Sequence, residues 1–156
     1  MSTLQLHDVY LARQRIESLV RRTPLEYSPS LSQRLGVAVY LKLESQQITG
    51  SFKLRGASNA VAQLSAEEKA RGVVAASTGN HGRALAYAAS RQGVKATICL
   101  SHLVPANKVQ AIRDLGAEVC IVGQSQDDAQ REAERIANEQ GATLLPPFDH
   151  PTIIAG

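Results

Sequence analysis

Apolar residues recur along this chain with two alternating periods, and the alternation predicts its elements. Val9, Ala12, Ile16 and Leu19 fall on one face of a helix over 7–21. The stretch "TPLEYSPSLSQRLG" then predicts a proline-marked turn, a short helix and a stop at Gly36, and "VAVYLKLE" predicts a strand. A further helix opens after Thr49-Gly50, with Ser51 as its N-cap and Phe52, Ala57, Ala60, Val61 and Leu64 at helical spacing. Beyond a short polar segment, "GVVAAS", "ATICL", "AEVCIVG" and "ATLLPPF" predict four more strands, separated by helices near 80–92, 105–115 and 126–140. The last of these helices opens on acids, the favoured sign at a helix N-terminus. Strands alternating with helices imply parallel pairing through right-handed crossovers, and hence an α/β fold: an open parallel sheet with helices on both faces. Pro146-Pro147 end the final strand, and no internal repeat or low-complexity segment intervenes.

Composition narrows the setting. The 156 residues are 44% hydrophobic and 20% charged, enough to bury an ordinary domain core. Seventeen Lys and Arg against fourteen Asp and Glu leave a dispersed +3, and aromatic content of 4% without Trp offers no stacking platform, so a nucleic-acid partner is not expected. The N-terminus lacks an apolar signal region, and no segment approaches the roughly 20 apolar residues of a membrane span. We therefore expect no membrane partner and a cytoplasmic location. Cys99 and Cys120 lie in apolar, β-rich runs and read as reduced core thiols. The closing "PTIIAG" places apolar residues where the sequence offers them no partner, which suggests the front portion of a longer protein.

Two stretches carry candidate chemistry. In "SFKLRGA", Lys53 and Arg55 occupy the first turn of the predicted helix. A cation there faces the positive end of the helix dipole, at a typical loss of about 0.3–1 kcal/mol. A solvated lysine whose stem covers the helix start is the ordinary reading. In "AASTGNHGRALAYAA", a buried strand ends near Ser77, a polar loop turns, and a helix starts close to Asn80. Open α/β sheets bind ligands at such places. Backbone N–H groups there, with the hydroxyls of Ser77 and Thr78 and the amide of Asn80, form a receptor for a carboxylate or phosphate, although an ordinary capped turn has the same composition. His81 has no i, i+4 partner, and neither His102 nor His150 stands at ligand spacing from it, so no metal site is expected. The two stretches explain each other. Desolvation and a positive helix end both favour a neutral, nucleophilic lysine, and an aldehyde cofactor bearing a phosphate, joined to Lys53, would remove the charge conflict.

These residues carry a resemblance. "ESQQITGSFKLRGASNAV" resembles the cofactor-lysine segment of fold-type II pyridoxal-phosphate (PLP) enzymes, the tryptophan synthase β-like group, and "ASTGNHGRALAYAA" resembles their substrate loop. "RTPLEYSPSLSQRLG", "YLKLE", "VPANKVQAIRDLGAEV" and "DHPTIIAG" extend the similarity, in order, to the serine/threonine dehydratase family, which includes threonine dehydratases and serine racemases. The resemblance implies that Lys53 carries PLP and moves protons at Cα, that Phe52 lies beside the cofactor, and that Asn80 hydrogen-bonds its 3-hydroxyl oxygen. It implies that Ser77, Thr78, Gly79, Asn80 and His81 hold a small amino-acid substrate by its carboxylate. The implied reaction removes water from a β-hydroxy amino acid to give a 2-keto acid and ammonia. Residues 1–70 would be the N-terminal part of a large cofactor domain, 71–147 a small α/β domain, and 148–156 the return to the large one, in a homo-oligomer, a dimer, when full length. Two departures stand out. Thr78 replaces the second serine of the racemase motif, which puts racemisation in doubt, and the family's glycine-rich phosphate loop falls beyond Gly156. An amino-acid racemase, a β-replacement synthase and a non-catalytic truncated module remain as alternatives.

Overall fold

The structure, a computed structural model, describes residues 4–77 and 79–156. Helix α1 (Leu6–Ile16) buries Ala12 and Ile16 but leaves Val9 42% exposed. It stops five residues short of the expected end, because Leu19 and Val20 both turn back to donate to the Ile16 carbonyl. Strand β1 (Leu25–Tyr27) stands where the sequence suggested a turn, and pairs antiparallel with β2 (Tyr40–Lys42) in a separate two-stranded sheet. All six residues of this pair are exposed, so β1 has no buried face to mark it as a strand, whereas β2 falls inside the expected "VAVYLKLE". Helix α2 (Pro29–Leu35) lies between them and ends at Gly36, whose φ of 69° suits glycine.

Helix α3 (Lys53–Ala62) does not use Ser51 as its cap. Phe52 already has helical backbone angles (φ −61°, ψ −19°), so the extended N-cap conformation is not available there, and Ser51 is buried with its hydroxyl unbonded among the described residues. The polar segment that follows contains a short helix, α4 (Ala66–Arg71), set by a reciprocal capping box between Ser65 and Glu68.

The main sheet has the order β5-β4-β3-β6 and is parallel throughout, with β3 at Val73–Ala76, β4 at Ala96–Leu100, β5 at Glu118–Ile121 and β6 at Thr143–Leu144. Its crossovers are α5 (Asn80–Arg91), α6 (Ala106–Arg113) and α7 (Gln126–Gln140). Side chains of β3 and β4 point alternately to two cores. Val73, Ala75, Ile98 and Leu100 join Ala84, Leu85 and Ala88 of α5 on one face, and Val74, Ala76 and Cys99 join Ala129, Ala133 and Ile136 of α7 on the other. Cys99 and Cys120 are register partners across β4 and β5 and both are free. Burial pushes the Cys99 thiol up to about 12 and raises Cys120 as well.

Small residues let α3 and α5 pack directly together, with Ala57, Ala60 and Val61 in the same core as Ala84, Leu85 and Ala88. Helix α8 (Pro151–Ala155) closes on α3, where Gly56 is required: a Cβ there would lie 2.5 Å from the Ile153 carbonyl oxygen. The terminal apolar run therefore has a partner within this chain, contrary to expectation. Ala155 is buried and Ile153 packs on the core, while Ile154 stays 56% exposed. Among the described residues no helix is long and apolar enough to cross a membrane.

Candidate functional site

Lys53 is the first residue of α3, and the way its charge is held resolves the conflict at that helix end. Its Nζ donates to the Pro147 carbonyl at 2.6 Å and stands 5.1 Å from the centre of the Phe52 ring and 4.6 Å from that of Phe148. Carbonyl and ring faces attract an ammonium without neutralising it. Among the described residues no carboxylate comes within ion-pair reach of Lys53. The half-buried amine borders an open cavity of about 360 Å³ whose walls include Phe52, Pro147, Phe148, Asp149 and Ile153.

The neighbouring cation of the same turn is treated differently. Arg55 donates to Glu44 through Nε at 3.0 Å and Nη2 at 2.7 Å, a two-pronged bond, and Glu44 also accepts from the Thr23 hydroxyl at 2.5 Å. Burial pushes the Glu44 carboxyl up, but the bonds from Arg55 and Thr23 and the charges of Arg55 and Lys42 outweigh it, leaving the group below its ordinary value. One cation at the helix start is thus neutralised by a partner from the segment after β2, and Lys53 is left free of one.

The loop after β3 leads into α5 as the sequence indicates. Asn80 is the first helical residue and is exposed, with Gly79 at the cap position. The Ser77 hydroxyl accepts from the Gly82 amide at 3.0 Å and from that of Gly79 at 3.4 Å, which ties the strand end to the helix start. Gly82 permits this, since a Cβ there would come 2.8 Å from the Ser77 carbonyl oxygen. Amides at the first turn of α5 have no carbonyl of their own helix to bond, and so suit an anion. His81 behaves as a structural residue. Its ring is 3% exposed and Nε2 lies 3.0 Å from the Leu145 carbonyl oxygen, which can only accept, so Nε2 carries the proton. Burial and the nearby Lys53 charge push its pKa down, partly offset by the Leu145 bond, and the neutral ring leaves Nδ1 without a partner among the described residues. Thr78 lies outside the described residues.

The structure thus brings Phe52 and Lys53 to one cavity wall and places Asn80 and His81 at the start of the helix packed against α3. Pro147, Phe148, Leu145 and Glu44 carry no functional signal of their own in the sequence. Pro146-Pro147 were legible only as a strand end, and a carbonyl acceptor leaves no side-chain signature. Among the described residues no group of His, Cys, Asp and Glu is arranged to hold a metal ion. An amine paired with no carboxylate among the described residues, set between aromatic faces beside a cavity and near a helix start, fits a flat aldehyde cofactor.

A parallel sheet clad by helices on both faces is the architecture of fold-type II PLP enzymes. The family model for pyridoxal-phosphate dependent enzymes matches residues 16–156, and the chain belongs to that family. It is 62% identical over 156 residues, all of this chain and 47% of the relative, to a Sinorhizobium fredii protein with the provisional name threonine dehydratase. It is 45% identical over 153 residues to the L-threonine ammonia-lyase of Thermotoga maritima, covering 98% of this chain and 38% of that one. The crystal structure of serine racemase from Dictyostelium discoideum superposes with a TM-score of 0.93 at 35% identity, over 99% of this chain and 50% of that one. The chain spans less than half the length of these two relatives.

Proposed function

We propose that this chain contributes the lysine and the carboxylate loop of a PLP-dependent ammonia-lyase, which converts a small β-hydroxy amino acid into a 2-keto acid and ammonia. The observation that carries the reading is Lys53, a helix-start amine paired with no carboxylate among the described residues and held between Phe52, Phe148 and the Pro147 carbonyl. The likeness to ammonia-lyases supports it. Lys53 would hold the cofactor, Phe52 would flank it and Asn80 would donate to its 3-hydroxyl oxygen. When bound, PLP supplies an electron sink for charge developing at the substrate Cα. The Gly79, Asn80 and His81 amides at the start of α5, with the hydroxyls of Ser77 and Thr78, would fix the carboxylate and so orient the Cα–H bond toward Lys53. Lys53 would take that proton, and the β-hydroxyl would leave with a proton as water. A water molecule returns when ammonia is released, so the overall change is amino acid to keto acid plus ammonia.

Residues 1–70 and 148–156 would form part of the cofactor domain, a grouping supported by the packing of α8 on α1 and α3, and residues 71–147 the small domain, against which α3 packs through α5. The intact protein would act in the cytoplasm as a homodimer. Borohydride reduction of the intact, cofactor-loaded protein followed by peptide mapping tests the assignment. The expected result is a pyridoxyl mass on the Lys53 peptide; the mass on Lys42 or Lys108 would overturn it. Inversion by an amino-acid racemase is the second reading, favoured by the superposition on serine racemase. Keto-acid release measured beside chiral chromatography of the remaining L-serine separates the two.

A further inference from the structure

The polypeptide between Leu145 and Phe148 touches both halves of the site. The sheet holds it only as far as Leu145, whose N–H donates to the Val74 carbonyl at 3.0 Å. Pro146 and Pro147 follow, and neither has an N–H with which to continue the ladder. The next carbonyl to be used is that of Pro147, which accepts from Lys53, and the next side chain is Phe148, whose ring faces the same ammonium. Two residues before that carbonyl, the Leu145 carbonyl accepts from His81 Nε2. His81 belongs to α5, the helix whose first turn forms the carboxylate loop.

We infer that His81 is a positioning residue: its ring anchors the Leu145–Phe148 strap, and the strap in turn sets where the Lys53 amine rests. The ring suits the task. It is 3% exposed, its proton is fixed on Nε2 by an acceptor that cannot reciprocate, and burial together with the Lys53 charge keeps it neutral beside a cation. With Nε2 committed to Leu145, His81 has only its backbone amide to offer an anion at the helix start. A shift of the loop at residues 77–81 is therefore transmitted through His81 to the carbonyl that restrains Lys53. The relevance of this link to turnover rests on the proposed role of Lys53, but the link itself does not, because it is a property of the protein without cofactor.

The experiment measures Lys53 reactivity in the intact protein freed of PLP, by competitive acetylation with acetic anhydride and mass-spectrometric readout of the Lys53 peptide against Lys69 as an internal standard. His81→Leu removes the donor and keeps the bulk; His81→Gln keeps an N–H at about the Nε2 position. His81→Leu should raise Lys53 labelling about fivefold, the effect of freeing one hydrogen-bonded amine. His81→Gln should stay within about twofold of the parent on the same scale. If the leucine variant does not fold, His81→Asn, whose amide is too short to reach Leu145, takes its place with the same expectation. Equal labelling in all variants, or a glutamine variant as reactive as the leucine one, would overturn the inference. Borohydride mapping of the loaded parent protein reports separately on whether Lys53 is the cofactor lysine, so the two failures are distinguishable.

Discussion

Replacing Gly82 with alanine sets two effects of opposite sign against each other. In an exposed helix the change would stabilise by up to about 1 kcal/mol, because alanine loses less backbone freedom than glycine. Here the added Cβ would stand 2.8 Å from the Ser77 carbonyl oxygen, 3.1 Å from Ile98 Cγ2 and 3.4 Å from Ile112 Cδ1. The first neighbour is backbone, and the other two belong to fully buried side chains, so nothing can swing aside. Overpacking of this kind costs about 1–3 kcal/mol. Displacing Ser77 also lengthens the 3.0 Å bond from the Gly82 amide to its hydroxyl, a further loss of about 1 kcal/mol. Sterics win, and Gly82→Ala should be less stable by about 1–3 kcal/mol after the helix gain is subtracted. In urea unfolding of the intact protein followed by circular dichroism, the midpoint should fall by on the order of 1 M with unchanged slope. Gly79→Ala, whose Cβ would meet nothing within 4 Å, lacks this steric cost and should lower the midpoint less than Gly82→Ala. A Gly82→Ala protein as stable as the parent would refute the reasoning and show that the start of α5 slides freely on β3.

Glu44→Gln should destabilise by about 1–2 kcal/mol at neutral pH, since Arg55 and Thr23 lose a charged acceptor that is largely but not wholly buried. Because the folded state lowers the Glu44 pKa, its contribution is fully present above the ordinary carboxylate value and fades as pH falls through the depressed one, so the gap between parent and variant should close in acid. Denaturation midpoints measured from pH 7 down to about pH 3 check this, and a gap that persists undiminished contradicts it. Cys99, with its thiol pushed up to about 12, and Cys120, raised in the same direction, should resist a disulfide reagent at pH 8 in the folded protein and react at once in denaturant. Rapid titration of Cys99 in the native protein would contradict its burial under α7.

The sequence pattern was a sound guide wherever an element buries apolar residues. Strands β3, β4 and β5 and helices α5 and α7 appear close to where the apolar runs and spacing put them, the strands because their two faces feed the two cores and the helices because each buries one face. It found β2 inside "VAVYLKLE" but failed for β1, whose residues are all exposed, and for the N-terminus of α3, where Phe52 enters the helix early and leaves Ser51 no capping role. In the site, the helix-start cation and the polar strand-to-helix loop were legible because both violate or exploit the helix dipole. Their surroundings were not. Pro147 acts through a carbonyl, Phe148 follows it in the chain, and the Glu44–Arg55 pair depends on a fold that brings residues eleven positions apart face to face.

Strand β6 has only two residues, and it pairs with a strand seventy positions earlier, Val73 with Thr143 and Val74 with Leu144. Closing so long a loop for so short a ladder delays the return, because the entropy of closure is lost before the contacts that offset it are made. Folding should therefore complete β3, β4 and α5 first and dock residues 143–148 last, and the same edge should open most readily afterwards. Until it docks, Lys53 lacks both the Pro147 carbonyl and the Phe148 face. During biogenesis the amine is thus an ordinary surface lysine, and the setting that distinguishes it from the others is acquired in the final step of folding.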